Sequence, residues 1–462
     1  MRISFHNLGC KVNSYELDGM QQLAAKEGFE IVPFDTPADV CVINTCSVTN
    51  IADRKSRQMI HKARKLNPEA IIVAAGCYAQ MFKDDLEAEG SADIIVENDK
   101  KGDVISLVRD YVAEKGQDLF GPVTEPLGNN DPLGTGLMGQ NKTRAYIKIE
   151  DGCNNFCTYC IIPYARGRVR SRRIEDIVEE ANDLAAAGYK EIVLTGINLS
   201  SYGTEWERWE GGDGSCVPHS GTQEPSPPSH LSHLIDVIEH LSQVEGIRRI
   251  RLSSLEPVVI TEDFLERLAK LPKACPHFHL SLQSGCDSVL ERMNRHYTTT
   301  DYLEKCRLIR NYYDHPAITT DVIVGFPGET KEEFETTLSF VKECGIYEAH
   351  VFKYSKRKGT KADRMPGQLT EKEKAARSNR LISLAAENKK TFMEYYIGRE
   401  VQALMEEKIN VEGRDYFTGL TPEYVRVAIP AGENDLSNTM VSGRVLDFLT
   451  PDCLLFAPKV LK

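Results

Sequence analysis

The sequence contains no run of about 18 apolar residues, the length that a helix needs to cross a bilayer, so no transmembrane helix and no membrane partner are predicted. The first residues lack the apolar core of a signal peptide, and we therefore expect a cytoplasmic protein. An excess of positive charge is absent as well, because 68 Asp and Glu against 56 Lys and Arg give a formal net charge of −12. This acidity argues against non-specific polyanion binding over the whole surface but leaves room for a local basic groove.

Cysteine, in contrast, is abundant, with 13 residues. A disulfide framework is not expected in a reducing compartment, so clustered cysteines favour metal or iron–sulfur ligation. Cys153, Cys157 and Cys160 have the spacing Cys-x3-Cys-x2-Cys directly after a predicted strand. Three thiolates can bind three irons of a four-iron cluster and leave the fourth iron open to a small molecule. A zinc site is the alternative, but structural zinc usually takes four ligands, and the nearest downstream histidine is His219.

A second set of cysteines is dispersed along the chain. Cys10, Cys46 and Cys77 each follow a predicted strand. Since the carboxyl ends of parallel strands meet at one edge of a sheet, these thiols are expected to converge on a second three-cysteine site. The alternative is that they are three buried structural cysteines.

The order of apolar runs predicts an α/β protein in three parts. Strands alternate with amphipathic helices over 1–115, which predicts a parallel sheet domain, and residues 116–140 are typical of a linker. Six strand candidates over 141–392 predict a partial (β/α)6 barrel, interrupted by a Gly- and Pro-rich insertion at 205–230. Short alternating runs over 396–462 predict a small all-β barrel.

Several motifs carry a family resemblance. The segment 152–163 resembles the signature of the radical S-adenosylmethionine superfamily. The segments 9–13, 44–49 and 76–80 resemble the amino-terminal motifs of the methylthiotransferase family, and 194–198, 252–257, 282–285 and 321–330 resemble its later barrel motifs. The tail resembles its RNA-associated TRAM domain. The form Gly-Cys-Lys-Val-Asn at 9–13 is most similar to the MtaB branch, whose members act on threonylcarbamoyladenosine in tRNA.

This resemblance implies a two-cluster enzyme. One [4Fe–4S] cluster, on Cys153, Cys157 and Cys160, would bind S-adenosylmethionine and yield a radical. The other, on Cys10, Cys46 and Cys77, would carry the methylthio sulfur. The product would be methylthiolated at carbon 2 of N6-threonylcarbamoyladenosine at position 37 of tRNA, next to the anticodon, with electrons from an unidentified donor. The contacts to S-adenosylmethionine would come from Thr195, Gly196, Gln283, Val324 and Gly325.

Three other functions remain open: methylthiolation of isopentenyladenosine in tRNA, methylthiolation of a ribosomal protein side chain, and a non-catalytic iron–sulfur RNA-binding module. Two basic groups lie beside the predicted cluster cysteines and are candidates for phosphate contacts. Solvated helix faces would also explain them, and arginines of the second group could instead reach the cofactor carboxylate. The two groups are Arg54, Lys55, Arg57, Lys62, Arg64 and Lys65, and Arg166, Arg168, Arg170, Arg172 and Arg173. The tail, with seven Lys/Arg against ten Asp/Glu, is a poor phosphate clamp.

Overall fold

The computed structural model describes residues 1–115, 143–206 and 230–459. Within these ranges no helix combines the length and the apolar character that a membrane crossing requires. The predicted linker at 116–140 and most of the predicted insertion at 205–230 lie outside the described residues, and the predicted domain boundaries stay predictions.

The amino-terminal part is a parallel sheet of five strands in the order β2-β1-β3-β4-β5. Every residue of β3 is buried, because helices cover both faces of the sheet at its centre. The short edge strand β2 was not predicted from the sequence. The strands are β1 (Arg2–Asn7), β2 (Glu30–Val32), β3 (Val40–Thr45), β4 (Ile71–Gly76) and β5 (Ile94–Val96), and the helices are α1 (Lys11–Lys26), α2 (Asn50–Leu66), α3 (Cys77–Met81), α4 (Lys83–Glu89) and α5 (Val104–Glu114).

The central part is an open, curved run of strands. β10 and β11 are separated only by Ser253; β10 pairs with β9, and β11 pairs with β12. The order is therefore β6-β9-β10/β11-β12-β13-β14, which confirms the predicted partial barrel. The strands are β6 (Arg144–Lys148), β7 (Glu150–Asp151), β8 (Arg170–Ser171), β9 (Glu191–Thr195), β10 (Arg249–Leu252), β11 (Ser254–Leu255), β12 (His277–Leu280), β13 (Ala317–Val324) and β14 (Glu348–Lys353).

Helices pack against the outer face of these strands and enclose the largest apolar core of the described chain. Thr298 and Thr330 each begin a helix with a capping box, which satisfies backbone N–H groups that the first turn leaves free. The helices are α6 (Ile162–Arg166), α7 (Ile174–Ala186), α8 (His230–Ser242), α9 (Glu262–Ala269), α10 (Asp287–Arg292), α11 (Thr299–Tyr312), α12 (Lys331–Glu343) and α13 (Glu371–Glu394).

The tail forms a closed barrel of five strands in the order β15-β16-β17-β19-β18, as its alternating pattern predicts. Its second strand, β16, contains Gly419, a residue type that usually weakens a strand. A Cβ at that position would lie 2.4 Å from the Leu404 carbonyl oxygen, so close strand approach requires glycine there. The strands are β15 (Glu400–Val411), β16 (Arg414–Leu420), β17 (Arg426–Pro430), β18 (Met440–Thr450) and β19 (Cys453–Pro458).

The tail barrel docks against the central strands through charged hydrogen bonds. Arg249 donates to the carbonyl oxygens of Leu420 and Gln402 at 2.7 and 2.8 Å. The Tyr424 ring stacks on His277 with centroids 4.7 Å apart. The loop before β17 therefore reaches the inner side of the central strands.

Candidate functional site

Cys10, Cys46 and Cys77 follow β1, β3 and β4, which are neighbours in the parallel sheet. Glycines allow the backbone to approach closely. Gly9 has φ +117°, and a Cβ there would lie 3.1 Å from the Cys46 sulfur. Gly76 has φ +99°, and a Cβ there would lie 2.6 Å from the Thr45 carbonyl oxygen. The structure thus brings together the three thiols that the strand-end argument predicted.

The electrostatics of these thiols fit a bound cluster. Burial raises the pKa of the Cys46 thiol to about 11, and the thiolates of Cys77 and Cys10 add to the rise. The protein alone therefore disfavours three thiolates at this edge, whereas iron ions would stabilise them and displace the protons. Cys46 and Cys77 are buried, and Cys10 is exposed.

Cys153, Cys157 and Cys160 lie on the loop that follows β7. At Gly152, which has φ +85°, this loop packs closely against the chain after α6. A Cβ at this position would lie 2.0 Å from the Arg168 carbonyl oxygen, so the close approach requires glycine. Burial raises the pKa of Cys153 to about 11 and that of Cys160 to about 12, with the Cys157 thiolate contributing to both. This triplet is therefore also a compact set of thiols that positive irons would stabilise.

The loop has partners that the sequence did not predict. Arg295 donates through Nη1 to the Cys157 sulfur at 3.1 Å and through Nη2 to Glu256 Oε1 at 2.8 Å. Asn155 Nδ2 donates to the same Glu256 oxygen at 2.7 Å. Glu256 therefore orients Arg295, and Arg295 supplies positive charge to one predicted cluster ligand.

One cavity of about 260 Å³ is lined by residues that follow Cys46 and by residues of the Cys153–Cys160 loop. Val48 and Thr49, which follow Cys46, line one side, and Tyr159 and Cys160 line another. The remaining wall is formed by β13, β14 and the residues after them, together with Gln283. This cavity is the place where groups held by the two triplets could act on the same molecule.

The predicted cofactor contacts fall into two groups. Gln283 lines the cavity; it adopts φ +66°, and its backbone is held there by hydrogen bonds to Asp321 and Ile323, each 2.9 Å. A strained backbone of this kind is typical of functional positions. The other four are not among the residues that line the cavity.

Of these four, Thr195 and Gly196 lie beside Glu150, where a Cβ on Gly196 would come within 2.1 Å of the carboxyl oxygen. The backbone groups of Val324 and Gly325 already have partners within the chain. The Val324 carbonyl accepts from Tyr354 N–H at 2.9 Å, and Gly325 N–H donates to Glu329 at 2.7 Å. The roles of all four toward S-adenosylmethionine stay predictions.

Arg166 connects the two cysteine loops. It lies six residues after Cys160, and it donates to Glu16 at 2.8 Å, Asp151 at 3.1 Å and Asn13 at 2.6 Å. Burial alone would raise the pKa of Glu16. The positive charges of Arg166, Lys101 and Lys148 outweigh this effect and hold the pKa of Glu16 well below its usual range. The prediction of an RNA or cofactor contact is therefore wrong for Arg166, which is buried and binds carboxylates of the protein itself.

The rest of the predicted basic surface is mostly exposed. Arg54, Lys55 and Arg57 are solvent-exposed on α2, near Val48 and Thr49 at the cavity. Arg168 and Arg170 are exposed after the other cysteine loop. Lys62 and Arg64 instead form ion pairs with Asp35 and Asp93. The two predicted basic groups thus keep most of their residues exposed in the folded protein.

Glu150 is fully buried next to the cysteine loop. Its Oε1 accepts from the Asn198 backbone N–H, and its Oε2 has no hydrogen-bond partner among the described residues. Burial raises the pKa of Glu150 to about 8, so the carboxyl group is protonated in the folded protein at neutral pH.

We predict that Glu150 makes stability fall as the pH rises. The folded state keeps the proton up to a pKa of about 8, whereas the unfolded chain releases it near the ordinary value of 4.5. The folded state binds more protons between these values, so this contribution is complete below the lower pKa and is lost as the pH passes the higher one. The measurement is the melting temperature as a function of pH. Glu150→Gln should flatten its fall with rising pH, and the control Glu179→Gln, at an exposed position, should not. Equal slopes for wild type and Glu150→Gln would contradict the prediction.

Comparisons with known proteins agree with this geometry. Residues 147–341 match the Radical SAM superfamily, and residues 2–97 match the family described as Uncharacterized protein family UPF0004. The first match contains Cys153, Cys157 and Cys160, and the second contains Cys10, Cys46 and Cys77.

Full-length relatives are also similar. The chain is 38% identical over 452 residues to the threonylcarbamoyladenosine tRNA methylthiotransferase MtaB of Bacillus subtilis, covering 96% of this chain and 93% of that protein. It is 36% identical to the MtaB protein of Aquifex aeolicus, covering 90% and 95%. A tRNA-2-methylthio-N(6)-dimethylallyladenosine synthase of Finegoldia magna is 31% identical, covering 95% and 91%.

Among solved structures, the radical S-adenosylmethionine methyltransferase TsrM from Kitasatospora setae, with cobalamin and a [4Fe–4S] cluster bound, superimposes with a TM-score of 0.51. The identity is 16%, over 76% of this chain and 74% of that one, so this similarity concerns the fold. Family matches, full-length relatives and two converging cysteine triplets lead to one conclusion: the chain belongs to the methylthiotransferase family of radical S-adenosylmethionine enzymes.

Proposed function

We propose that this protein is a cytoplasmic enzyme that methylthiolates carbon 2 of N6-threonylcarbamoyladenosine at position 37 of tRNA. The observation that carries the proposal is that Val48 and Thr49, which follow Cys46, and Cys160 of the other triplet line a single cavity. The relatives named MtaB are 34–38% identical, whereas those named dimethylallyladenosine synthase are 31–34% identical, which favours the threonylcarbamoyl substrate.

The chain's residues would divide the work as follows. Cys153, Cys157 and Cys160 would hold the cluster that binds S-adenosylmethionine, and Cys10, Cys46 and Cys77 would hold the one that carries sulfur. When bound, these groups supply a 5′-deoxyadenosyl radical and a methylthio sulfur. Gln283 orients the cofactor at the cavity wall.

The protein environment adds charge and shape. Arg295 stabilises the Cys157 thiolate. The exposed cations of α2, Arg54, Lys55 and Arg57, bind phosphates beside the cavity mouth. An external reductant, not identified by the sequence or the fold, supplies the electron.

The test is mass spectrometry of tRNA nucleosides from cells that lack this protein. We expect the methylthio form of threonylcarbamoyladenosine to disappear and the unmethylthiolated nucleoside to accumulate. Wild-type protein should restore the methylthio form, and the Cys46→Ala variant should not. Retention of the methylthio nucleoside in a strain with no second such enzyme, or loss of methylthiolated isopentenyladenosine instead, would refute the substrate assignment.

A further inference from the structure

Three polar side chains on neighbouring strands converge inside the partial barrel. His279 of β12, Asp321 of β13 and His350 of β14 have nitrogen and carboxylate oxygen atoms that all lie within 4.8 Å of one another. Asp321 and His350 are register partners. The His279 Nε2 atom is 3.5 Å from Asp321 Oδ1, and the two imidazole centroids are 5.8 Å apart. This arrangement places one carboxylate between two imidazoles.

The cluster is held in place by its surroundings. Thr319 Oγ1 lies 3.0 Å from His279 Nδ1 and 3.1 Å from His277 Nε2, so it fixes the His279 ring and leaves Nε2 directed at Asp321. His277 is itself stacked on Tyr424 of the tail barrel. A packed and hydrogen-bonded imidazole of this kind is preorganised for binding a ligand.

Lys11 brings a positive charge to the same place. It directly follows Cys10, and it lies near Asp321, Tyr424, Arg144 and Arg251. Arg144 and Arg251 are paired with Glu406 and Glu191. Among the hydrogen bonds and ion pairs of residues 1–115, 143–206 and 230–459, Lys11 has no partner. Its side-chain nitrogen is therefore free to pair with a ligand.

We infer that Lys11, His279, Asp321 and His350 form a binding subsite for the acidic, hydrogen-bonding substituent of the substrate base. The inference rests on the proposed function, in which this substituent is the threonylcarbamoyl group with its carboxylate, hydroxyl and urea N–H groups. Lys11 pairs with the carboxylate, Asp321 accepts a hydrogen bond from an N–H or O–H group, and the two imidazoles complete the polar wall.

The position of the subsite supports this assignment. Asp321 lines the cavity together with Gln283 and Cys160, and Lys11 is the residue next to Cys10. A base in this cavity would thus have Asp321, the member of the cluster that lines it, within reach. An apolar dimethylallyl substituent would desolvate Lys11 and Asp321 without replacing their hydrogen bonds to water, which is costly.

The experiment uses the enzyme reconstituted with both clusters and an anticodon stem–loop RNA that carries threonylcarbamoyladenosine. A second RNA carries the same nucleoside as its carboxylate methyl ester. We expect Lys11→Gln to lower kcat/KM for the carboxylate RNA by about 10- to 100-fold, because a charge-assisted hydrogen bond is lost. The wild type should prefer the carboxylate over the ester, and Lys11→Gln should lose that preference. His350→Gln should lower kcat/KM in the same direction.

Controls distinguish loss of the subsite from a folding defect and from failure of the proposed function. Lys26→Gln, at the exposed end of the same helix, should match the wild type. Formation of 5′-deoxyadenosine without RNA should be unchanged in Lys11→Gln. If the wild type turns over the carboxylate RNA but Lys11→Gln keeps the full preference for it, the subsite is wrong and the proposed function stands.

If the wild type turns over only dimethylallyladenosine RNA, the proposed function itself fails. Finally, one equivalent of zinc bound by the wild type and lost in His279→Ala, but not in the exposed His240→Ala, would overturn the subsite in favour of a metal centre.

Discussion

The Cys157→Ala protein is expected to form no 5′-deoxyadenosine from S-adenosylmethionine above background, whereas Cys46→Ala forms it at the wild-type rate and yields no methylthiolated RNA. Cys46 follows β3 of the amino-terminal sheet, and Cys157 lies on the loop after β7, so each variant should remove one function and spare the other. Both readouts come from one anaerobic reaction in which 5′-deoxyadenosine and the nucleosides are quantified by mass spectrometry.

A matched control is available for this pair. Cys286→Ala removes a partly exposed thiol whose neighbour is Ser288, at 3.3 Å, and should change neither product. Loss of 5′-deoxyadenosine formation in a folded Cys46→Ala protein would contradict the division of labour between the two triplets.

Arg166→Met is expected to lower the free energy of unfolding by about 3–5 kcal/mol. The guanidinium is buried between Glu16 and Asp151, and its removal leaves two carboxylates without their main partner in a site closed to water. Since the protein has several parts, the effect is best followed as a shift of the thermal or denaturant midpoint relative to wild type.

The control for this change is Arg173→Met. Arg173 is exposed and pairs with Asp176 at 2.7 Å, so its loss should leave the midpoint almost unchanged. A midpoint for Arg166→Met equal to that of Arg173→Met would show that the buried network is not needed to hold the two cysteine loops together.

The parts of the fold that follow from local patterns were predicted well. The alternation of strands and helices gave the parallel sheet and the partial barrel, because each βα unit has its own apolar periodicity. Strand ends placed Cys10, Cys46 and Cys77 together for the same reason. β2, with three residues, is too short for a pattern, and β16 contains Gly419, which is needed for close strand approach rather than for a turn.

The parts of the site that depend on long-range pairing were not predictable. Arg166 sits in an arginine-rich segment that looks like an RNA contact, and only the fold shows that Glu16, 150 residues away, binds it. Arg295 reaches Cys157 across 138 residues. His277 and His279 alternate on β12, so their side chains lie on the same face, where both reach Thr319 Oγ1.

The central claim is that two separate four-iron clusters sit on two cysteine triplets, and an iron and sulfide count on anaerobically reconstituted protein tests it most directly. Wild type should hold about eight irons per chain, and alanine at all three positions of either triplet should leave about four. Alanine at all six positions should leave none. About four irons in the wild type, or loss of all iron from a folded protein changed in one triplet alone, would contradict the claim.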